Sequence, residues 1–234
     1  MKAMIFAAGR GTRLRPLTDT RPKALVEVAG RTLLEQVVVR LVEAGVTEAI
    51  VNLHHLGGQI PPFLEAHGSF GLRRVVYSDE PALLGTGGGL KHAAWFFDDG
   101  QPFLVHNVDV LSDIDLGALM RAQSGSQALA TLAVMARPTV RPLYFDSAGR
   151  LIGRRSPDRG DEFVCAPSGA FEALGFCGVQ AVSPAIFDKI SEVGEFGITE
   201  VYLRLAKARE DILAYRVDGA KWRDCGRRED LRPF

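Results

Sequence analysis

The first apolar run of this chain ends directly in glycine, as Ala7-Ala8-Gly9-Arg10-Gly11-Thr12-Arg13-Leu14-Arg15-Pro16-Leu17. No other feature constrains the fold as strongly. Residues 2–7 are continuously apolar after Lys2, which is the pattern of a strand buried on both faces of a parallel sheet. Small residues after such a strand let the main chain approach a ligand closely, and successive N–H groups form an anion nest. Open parallel sheets bind ligands beyond the carboxyl ends of their strands, where this loop would lie. Between Ala8 and Lys23 the cations Arg10, Arg13, Arg15, Arg21 and Lys23 face the lone carboxylate Asp19, a net of +4 that suits a triphosphate. Leu14 stands where a dinucleotide fingerprint needs its third glycine, and no GK[ST] completes a Walker loop.

Beyond the loop, strand-like and helix-like stretches alternate, as in a mostly parallel sheet flanked by helices. Residues 32–44 predict a helix. Thr32 and Glu35 make a capping box, Leu33, Leu34, Val37, Val38 and Leu41 recur at helical spacing, and Gly45 ends it. Strands are predicted at 48–53, 72–77, 102–106 and 128–136, with helices at 59–67, 89–97 and 116–123. Pro61 and Pro62 fit only the first turn of the 59–67 helix. The pattern then changes. A hairpin at 143–145 and 151–152 precedes a polar, turn-rich stretch at 154–170. A strand at 173–182, helices at 184–190 and 198–209, a strand at 212–217 and a short C-terminal helix follow. The first half reads as a nucleotide-type α/β core and the second as an excursion on the same sheet, so a single domain over residues 1–234 is expected.

Composition narrows the function. Twenty-eight basic and 28 acidic residues give no net charge, hence no global field for nucleic acid or an anionic membrane. At 47% hydrophobic and 24% charged the chain is not disordered. Its apolar runs fall short of the roughly 20 residues of a membrane span, and the N-terminus lacks the apolar region of a secretory signal. Cys165, Cys177 and Cys225 form no CxxC pair, so reduced, mostly buried thiols in a cytoplasmic protein are expected.

The run AAGRGTRLRPLTDTRPKAL (residues 7–25) resembles the signature of the sugar-1-phosphate nucleotidylyltransferases, a GxGTRLxPLT loop followed closely by PKxL. The resemblance implies the nucleotide-diphospho-sugar transferase fold, a Rossmann-like mixed sheet. It also implies a nucleotide site made by Ala8, Gly9, Gly11, Thr12 and Arg13, with Arg13 on the phosphates and Lys23 at the reacting phosphate. Leu84-Gly85-Thr86-Gly87-Gly88-Gly89 is similar to the family's base-binding loop. It is closest to the TGGG version of N-acetylmuramate-1-phosphate uridylyltransferases, and three consecutive glycines leave room for a flat ring. Glu80-Pro81 is similar to the family's EP element; its Glu is either a base contact or a solvated loop carboxylate.

Asn107-Val108-Asp109 follows a strand end, where a carboxylate above a phosphate loop can hold Mg²⁺. It resembles the family's metal-ligand motif, with Val108 in place of the usual Gly. Asp113 and Asp115 read as turn and N-cap residues. Trp222-Arg223-Asp224-Cys225-Gly226-Arg227 resembles the WxDxGT element whose Asp is the second metal ligand, with Arg227 where Thr is common. Gly178, in Phe176-Cys177-Gly178-Val179, and Thr199, in Ile198-Thr199-Glu200, match segments on the sugar-phosphate side. Thr199 reads equally as a helix cap. The family's FxEKP element, which supplies a second lysine, is absent, and Arg154 or Arg155 are the candidates to stand in. His54 and His55 read as loop residues, and His106 as a core histidine.

The resemblance implies Mg²⁺-dependent nucleotidyl transfer from an NTP, UTP or GTP, to a sugar 1-phosphate, with Arg13, Lys23 and Asp109 catalytic and Asp109 and Asp224 on the metal. N-acetylmuramate 1-phosphate with UTP is the first expectation and mannose 1-phosphate with GTP the alternative. A non-catalytic NDP-sugar-binding homologue would be expected to lack Lys23, Asp109 or Asp224, and all three are present. Neither nucleic acid nor membrane is expected as a partner. With ten residues after Asp224, the C-terminal β-helix that many relatives append is not expected.

Overall fold

The computed structural model describes residues 1–167 and 169–232. In chain order the strands are β1 (Lys2–Phe6), β2 (Glu27–Val28), β3 (Arg31–Thr32), β4 (Glu48–Leu53), β5 (Arg74–Asp79), β6 (Phe103–Asn107) and β7 (Val110–Ser112), then β8 (Ala130–Met135), β9 (Leu143–Asp146), β10 (Leu151–Ser156), β11 (Gly160–Phe163), β12 (Phe171–Val182), β13 (Ile212–Arg216) and β14 (Trp222–Asp224). The helices are α1 (Leu33–Glu43), α2 (Ile60–Ala66), α3 (Gly85–His92), α4 (Leu116–Ser124) and α5 (Ile198–Lys207).

β1 pairs in parallel with β4 and β6, and β4 with β5. β12 runs antiparallel to β6 and to β8, and β13 lies parallel to β8. Across β5-β4-β1-β6-β12-β8-β13, therefore, every strand but β12 points the same way. The first residues of β12 pair instead with β9, which carries the β9–β10–β11 meander, so ten strands share one sheet. The mostly parallel mixed sheet and the return of the second half onto it match the expectation from sequence.

Alternate residues of the central strands feed two apolar layers, as period-2 geometry requires. Ala3, Ile5, Ala49, Val51 and Leu104 face one layer with α1, α2 and α4. Met4, Ile50, Phe103 and Val105 face the other with α3 and α5. α1 forms as its pattern dictates: Thr32 Oγ1 accepts from Glu35 N at 3.1 Å, and all five expected apolar side chains are buried. Asp115 caps α4 through Ala118 N at 2.8 Å. Pro61 and Pro62 occupy the first turn of α2.

Several elements depart from their predicted form. The helix expected at 89–97 begins at Gly85, so the glycine run is its first turn rather than its lead-in. The stretch 154–170 contains the end of β10 and all of β11; the register opposes Arg154 to Glu162 and Arg155 to Asp161, ion pairs of 2.9 and 2.7 Å. Opposite charges across a strand pair stabilise it, and a strand polar on both faces gives no alternation to read. Ser168 of that stretch lies outside the described residues. The helix expected at 184–190 is a 3-10 segment capped by Ser183, and the C-terminal helix is a single 3-10 turn, Arg228–Asp230.

Candidate active site

The loop after β1 opens at the carboxyl edge of the sheet. Asn52, at the end of β4, holds its start: Asn52 Oδ1 accepts from Ala7 N at 2.7 Å and Ala8 N at 3.3 Å. Gly11 has φ 61°, and a Cβ there would lie 2.8 Å from Thr18 Cγ2, while Thr18 Oγ1 donates to Gly11 O at 2.8 Å. Glycine is thus required by both backbone and space. A Cβ on Gly9 would meet nothing within 4 Å, so this position faces open space. Arg15 and Arg21 pair at the surface with Asp19 and Glu27. Arg10 and Arg13 have no ion pair among the described residues.

Lys23 Nζ donates to Asp109 Oδ2, and both side chains are largely buried. β14 pairs with β7 so that Asp224 opposes Val110, and Cys225 N donates to Asp109 O at 2.7 Å. The two aspartates, far apart in sequence, are thereby brought together. Asp224 Oδ1 accepts from Gly226 N at 2.7 Å, and a Cβ on Gly226 would lie 2.7 Å from both Asp224 Oδ1 and Arg13 Nη2. Arg13, Lys23, Asp109 and Asp224 therefore converge. Two carboxylates beside two cations are a hard-oxygen donor set that suits Mg²⁺, which takes one or two carboxylates and completes its shell with phosphate oxygens and water. No third carboxylate, histidine or cysteine joins them in a metal-sized cluster among the described residues.

A cavity of about 260 Å³ lies between the loop and α3, lined among others by Ala8, Gly9, Lys23, Asn52, Glu80, Gly85, Thr86 and Asp109. Glu80 is buried rather than solvated. Its Oε1 accepts from Asn52 Nδ2 at 2.7 Å and its Oε2 from Leu84 N at 3.1 Å. The glycine run makes room, but for protein. A Cβ on Gly87 would lie 2.5 Å from the Phe196 ring, on Gly88 2.8 Å from Gly194 O, and on Gly89 2.6 Å from Glu80 Oε1. Gly87 N and Gly88 N donate to Phe196 O, at 2.9 and 3.4 Å. Gly85 and Thr86 face the cavity, whereas Gly87 and Gly88 are buried beneath the Phe196 segment.

Thr199 does not cap α5. Gly197 is the N-cap, and Thr86 Oγ1 accepts from Ile198 N at 3.0 Å, so a side chain of α3 satisfies the start of α5. Thr199 lines a second cavity of about 600 Å³ with Gly197, Phe176, Arg137, Arg141, Arg154 and Arg155. Gly178 forms a bulge in β12 with φ 71°, and a Cβ there would lie 2.9 Å from Asn107 Nδ2. Arg227 is exposed, 3.6 Å from Glu229. His54 and His55 bond the Glu80 and Thr18 carbonyls, at 2.9 and 3.3 Å. His106 is buried under the Asn107–Asp109 turn, and burial holds its pKa down to about 4. No disulfide links the cysteines, and burial raises the thiols of Cys177 and Cys225 to about 12 and about 11. No helix of the described residues is long and apolar enough to cross a membrane.

Sequence reading did not single out Asn52, Phe196 or Arg137. Asn52 is a polar residue in an otherwise apolar strand, which is a usable signal; Phe196 and Arg137 gave none.

A positively charged glycine loop over paired carboxylates at the carboxyl edge of a mostly parallel sheet defines a nucleotide-handling enzyme. The family model described as nucleotidyl transferase matches residues 2–147. N-acetylmuramate alpha-1-phosphate uridylyltransferase from Neisseria meningitidis serogroup B is 38% identical over 97% of this chain and 93% of its own length. The Caulobacter vibrioides protein of the same name is 36% identical over 87% of this chain and 84% of its own. The catalytic subunit beta of mannose-1-phosphate guanylyltransferase from Dictyostelium discoideum is 28% identical, with 62% of its length covered. The solved UDP-glucose pyrophosphorylase of Acinetobacter baumanii superposes with a TM-score of 0.79 at 23% identity, over 98% of this chain and 90% of that one, a likeness of fold. The chain belongs to the nucleotidyl transferase family, and the resemblance of its loop to the sugar-1-phosphate nucleotidyltransferases extends to a relative matched over 97% of the chain.

Proposed function

We propose that this chain joins UTP and N-acetylmuramate 1-phosphate into a UDP-sugar with release of pyrophosphate, in the cytoplasm and as a single catalytic domain. The observation that carries the reaction is the convergence of Lys23, Asp109 and Asp224 beneath the Gly9–Arg13 loop, with Lys23 and Asp109 lining the 260 Å³ cavity. The choice of base and sugar rests on the relatives at 38% and 36% identity.

In the reaction a sugar phosphate oxygen attacks the α-phosphorus in line, and the bond to pyrophosphate breaks on the opposite side. No covalent enzyme intermediate is needed, so the chain has to hold two anions that repel each other and offset the charge that develops. The amides of Gly9–Arg13 and the Arg13 guanidinium hold the leaving pyrophosphate. Lys23 exchanges its Asp109 partner for the α-phosphate as substrate enters, which frees a carboxylate oxygen. Mg²⁺, held by Asp109 and Asp224, would supply charge neutralisation between the two reacting phosphates. Ala8, Gly85 and Thr86 border the nucleoside, with Glu80 fixing their loop. Gly87 and Gly88 act behind them by seating Phe196, and Gly178 and Thr199 border the sugar phosphate.

Asp109→Asn is expected to lower pyrophosphate release at least about a hundredfold, the scale of removing one preorganised charge from a reacting centre, with an unchanged circular dichroism spectrum. Retained Mg²⁺-dependent turnover in this variant refutes the assignment. A matrix of NTPs against sugar 1-phosphates decides the pair. Preference for GTP with mannose 1-phosphate establishes the guanylyl alternative, and NDP-sugar binding without pyrophosphate release establishes a non-catalytic homologue.

A further inference from the structure

The site as described holds two cations for two anions that meet, Arg13 on the pyrophosphate side and Lys23 at the α-phosphate, and the lysine element that many relatives place at the sugar phosphate is missing. The stand-ins suggested by sequence are already occupied. Arg154 pairs with Glu162 at 2.9 Å, and Arg155 makes two bonds to Asp161, at 2.7 and 3.2 Å. These pairs join β10 to β11, so their arginines serve the meander.

Arg137 is held differently. It leaves the carboxyl end of β8, the edge of the sheet at which β1 and β6 deliver the glycine loop and Asp109. Its guanidinium carbon lies 4.1 Å from the centre of the Trp222 ring, two residues before Asp224. Trp222 is itself pinned, with Nε1 donating to Cys177 O at 2.8 Å. Arg137 Nη2 donates to Phe176 O at 2.8 Å. β12 gives up a side chain to admit this group: a Cβ on Gly175 would lie 2.7 Å from Arg137 Nε. Asp218, which accepts from the neighbouring Ala136 N, spends its carboxylate on Arg216 at 2.7 Å. Arg137 has no carboxylate partner among the described residues, and its Nε is buried without a hydrogen bond. It lines the 600 Å³ cavity beside Phe176 and Thr199.

We propose that Arg137 is the cation that binds the sugar 1-phosphate, replacing the absent lysine from a different strand. Stacking on Trp222 and one carbonyl fix the fork in place while leaving N–H donors for phosphate oxygens. The Trp222 platform ties its position to that of Asp224, so sugar phosphate and catalytic carboxylates are set by one element. This rests on the transfer reaction proposed above and adds to it the residue that recognises the acceptor anion.

The test compares wild-type protein with Arg137→Gln, Arg137→Lys and Arg155→Gln by pyrophosphate release and thermal melting. It also measures calorimetric binding of glucose 1-phosphate, a probe that needs no turnover. Arg137→Gln is expected to raise the KM for sugar 1-phosphate and weaken glucose 1-phosphate binding by on the order of tenfold to a hundredfold, the scale of a charged hydrogen bond. The KM for NTP should stay within about twofold, Arg137→Lys should recover part of the loss, and Arg155→Gln should cost less acceptor binding than Arg137→Gln. Equal rises in both KM values for Arg137→Gln, or an unchanged sugar phosphate KM, overturn the proposal. So does a loss of acceptor binding in Arg155→Gln with none in Arg137→Gln. Wild-type protein that releases no pyrophosphate but binds glucose 1-phosphate through Arg137 refutes the reaction and leaves the anion site standing.

Discussion

Single residues carry most of the site's electrostatics. Lys23 and Asp109 neutralise each other, so neither stands as a bare buried charge, which would be costly. His106, three residues before Asp109, is another buried titratable group. Desolvation, the larger cause, lowers its pKa to about 4, against smaller opposing contributions from the Asn107 carbonyl and Asp109. An unfolded imidazole takes up a proton near pH 6.5 and the folded one only near pH 4. The native state is therefore favoured fully above pH 6.5 and loses that advantage as the pH falls through this window. Urea unfolding at pH 7 and pH 4.5 should show about 2 kcal/mol less stability at the lower pH from this group. In His106→Gln that share of the difference should vanish; the same pH dependence in both proteins rules it out.

At the scale of elements, α3 is the least ordinary helix. Glycine in a helix costs about 1 kcal/mol relative to alanine, so Gly87→Ala would stabilise a free helix. Here its Cβ would lie 2.5 Å from the Phe196 ring and 3.1 Å from Gly197 C, an overpacking cost of about 1–3 kcal/mol. The balance is unfavourable. Gly87→Ala should lower the melting temperature and raise the NTP KM, whereas Gly58→Ala, with nothing within 4 Å, should do neither. Equal melting temperatures for the two variants and the wild type would refute this. The same helix marks the limit of sequence reading. The loop 9–23 and α1 were legible because each depends on local chemistry, a glycine, a cap, a period of 3.6, whereas Asp109 and Asp224 were paired only through the resemblance of their segments to a known family. The start of α3 was not, since the residue that makes its glycines necessary, Phe196, lies over a hundred positions away. β11 escaped for a related reason, its stability residing in cross-strand charges rather than in buried apolar residues.

On the scale of the whole molecule, stability is uneven. β1, β4 and β6 carry core residues at or near zero exposure, whereas β11 has none buried and joins the sheet through β10 alone. Local opening should follow this gradient. Amide hydrogen exchange in β11 is expected to be at least about a hundredfold faster than in β1 and β4, and equal protection would overturn the ranking. Charge is organised on the same scale. The molecule is neutral, yet Arg10, Arg13, Lys23 and Arg137 all stand along one edge of the sheet, a field sized for small anions rather than a polymer.

The bond from Thr86 to the start of α5, with Phe196 seated on Gly87, has a consequence for how such enzymes diverge. On the function proposed above, the segment that borders the nucleoside and the segment that borders the sugar are one lock assembled from two parts of the chain. A change of base preference written into residues 84–89 has to be matched within 194–198, so donor and acceptor specificity are inherited together, and a loop moved alone into another relative would arrive without its socket.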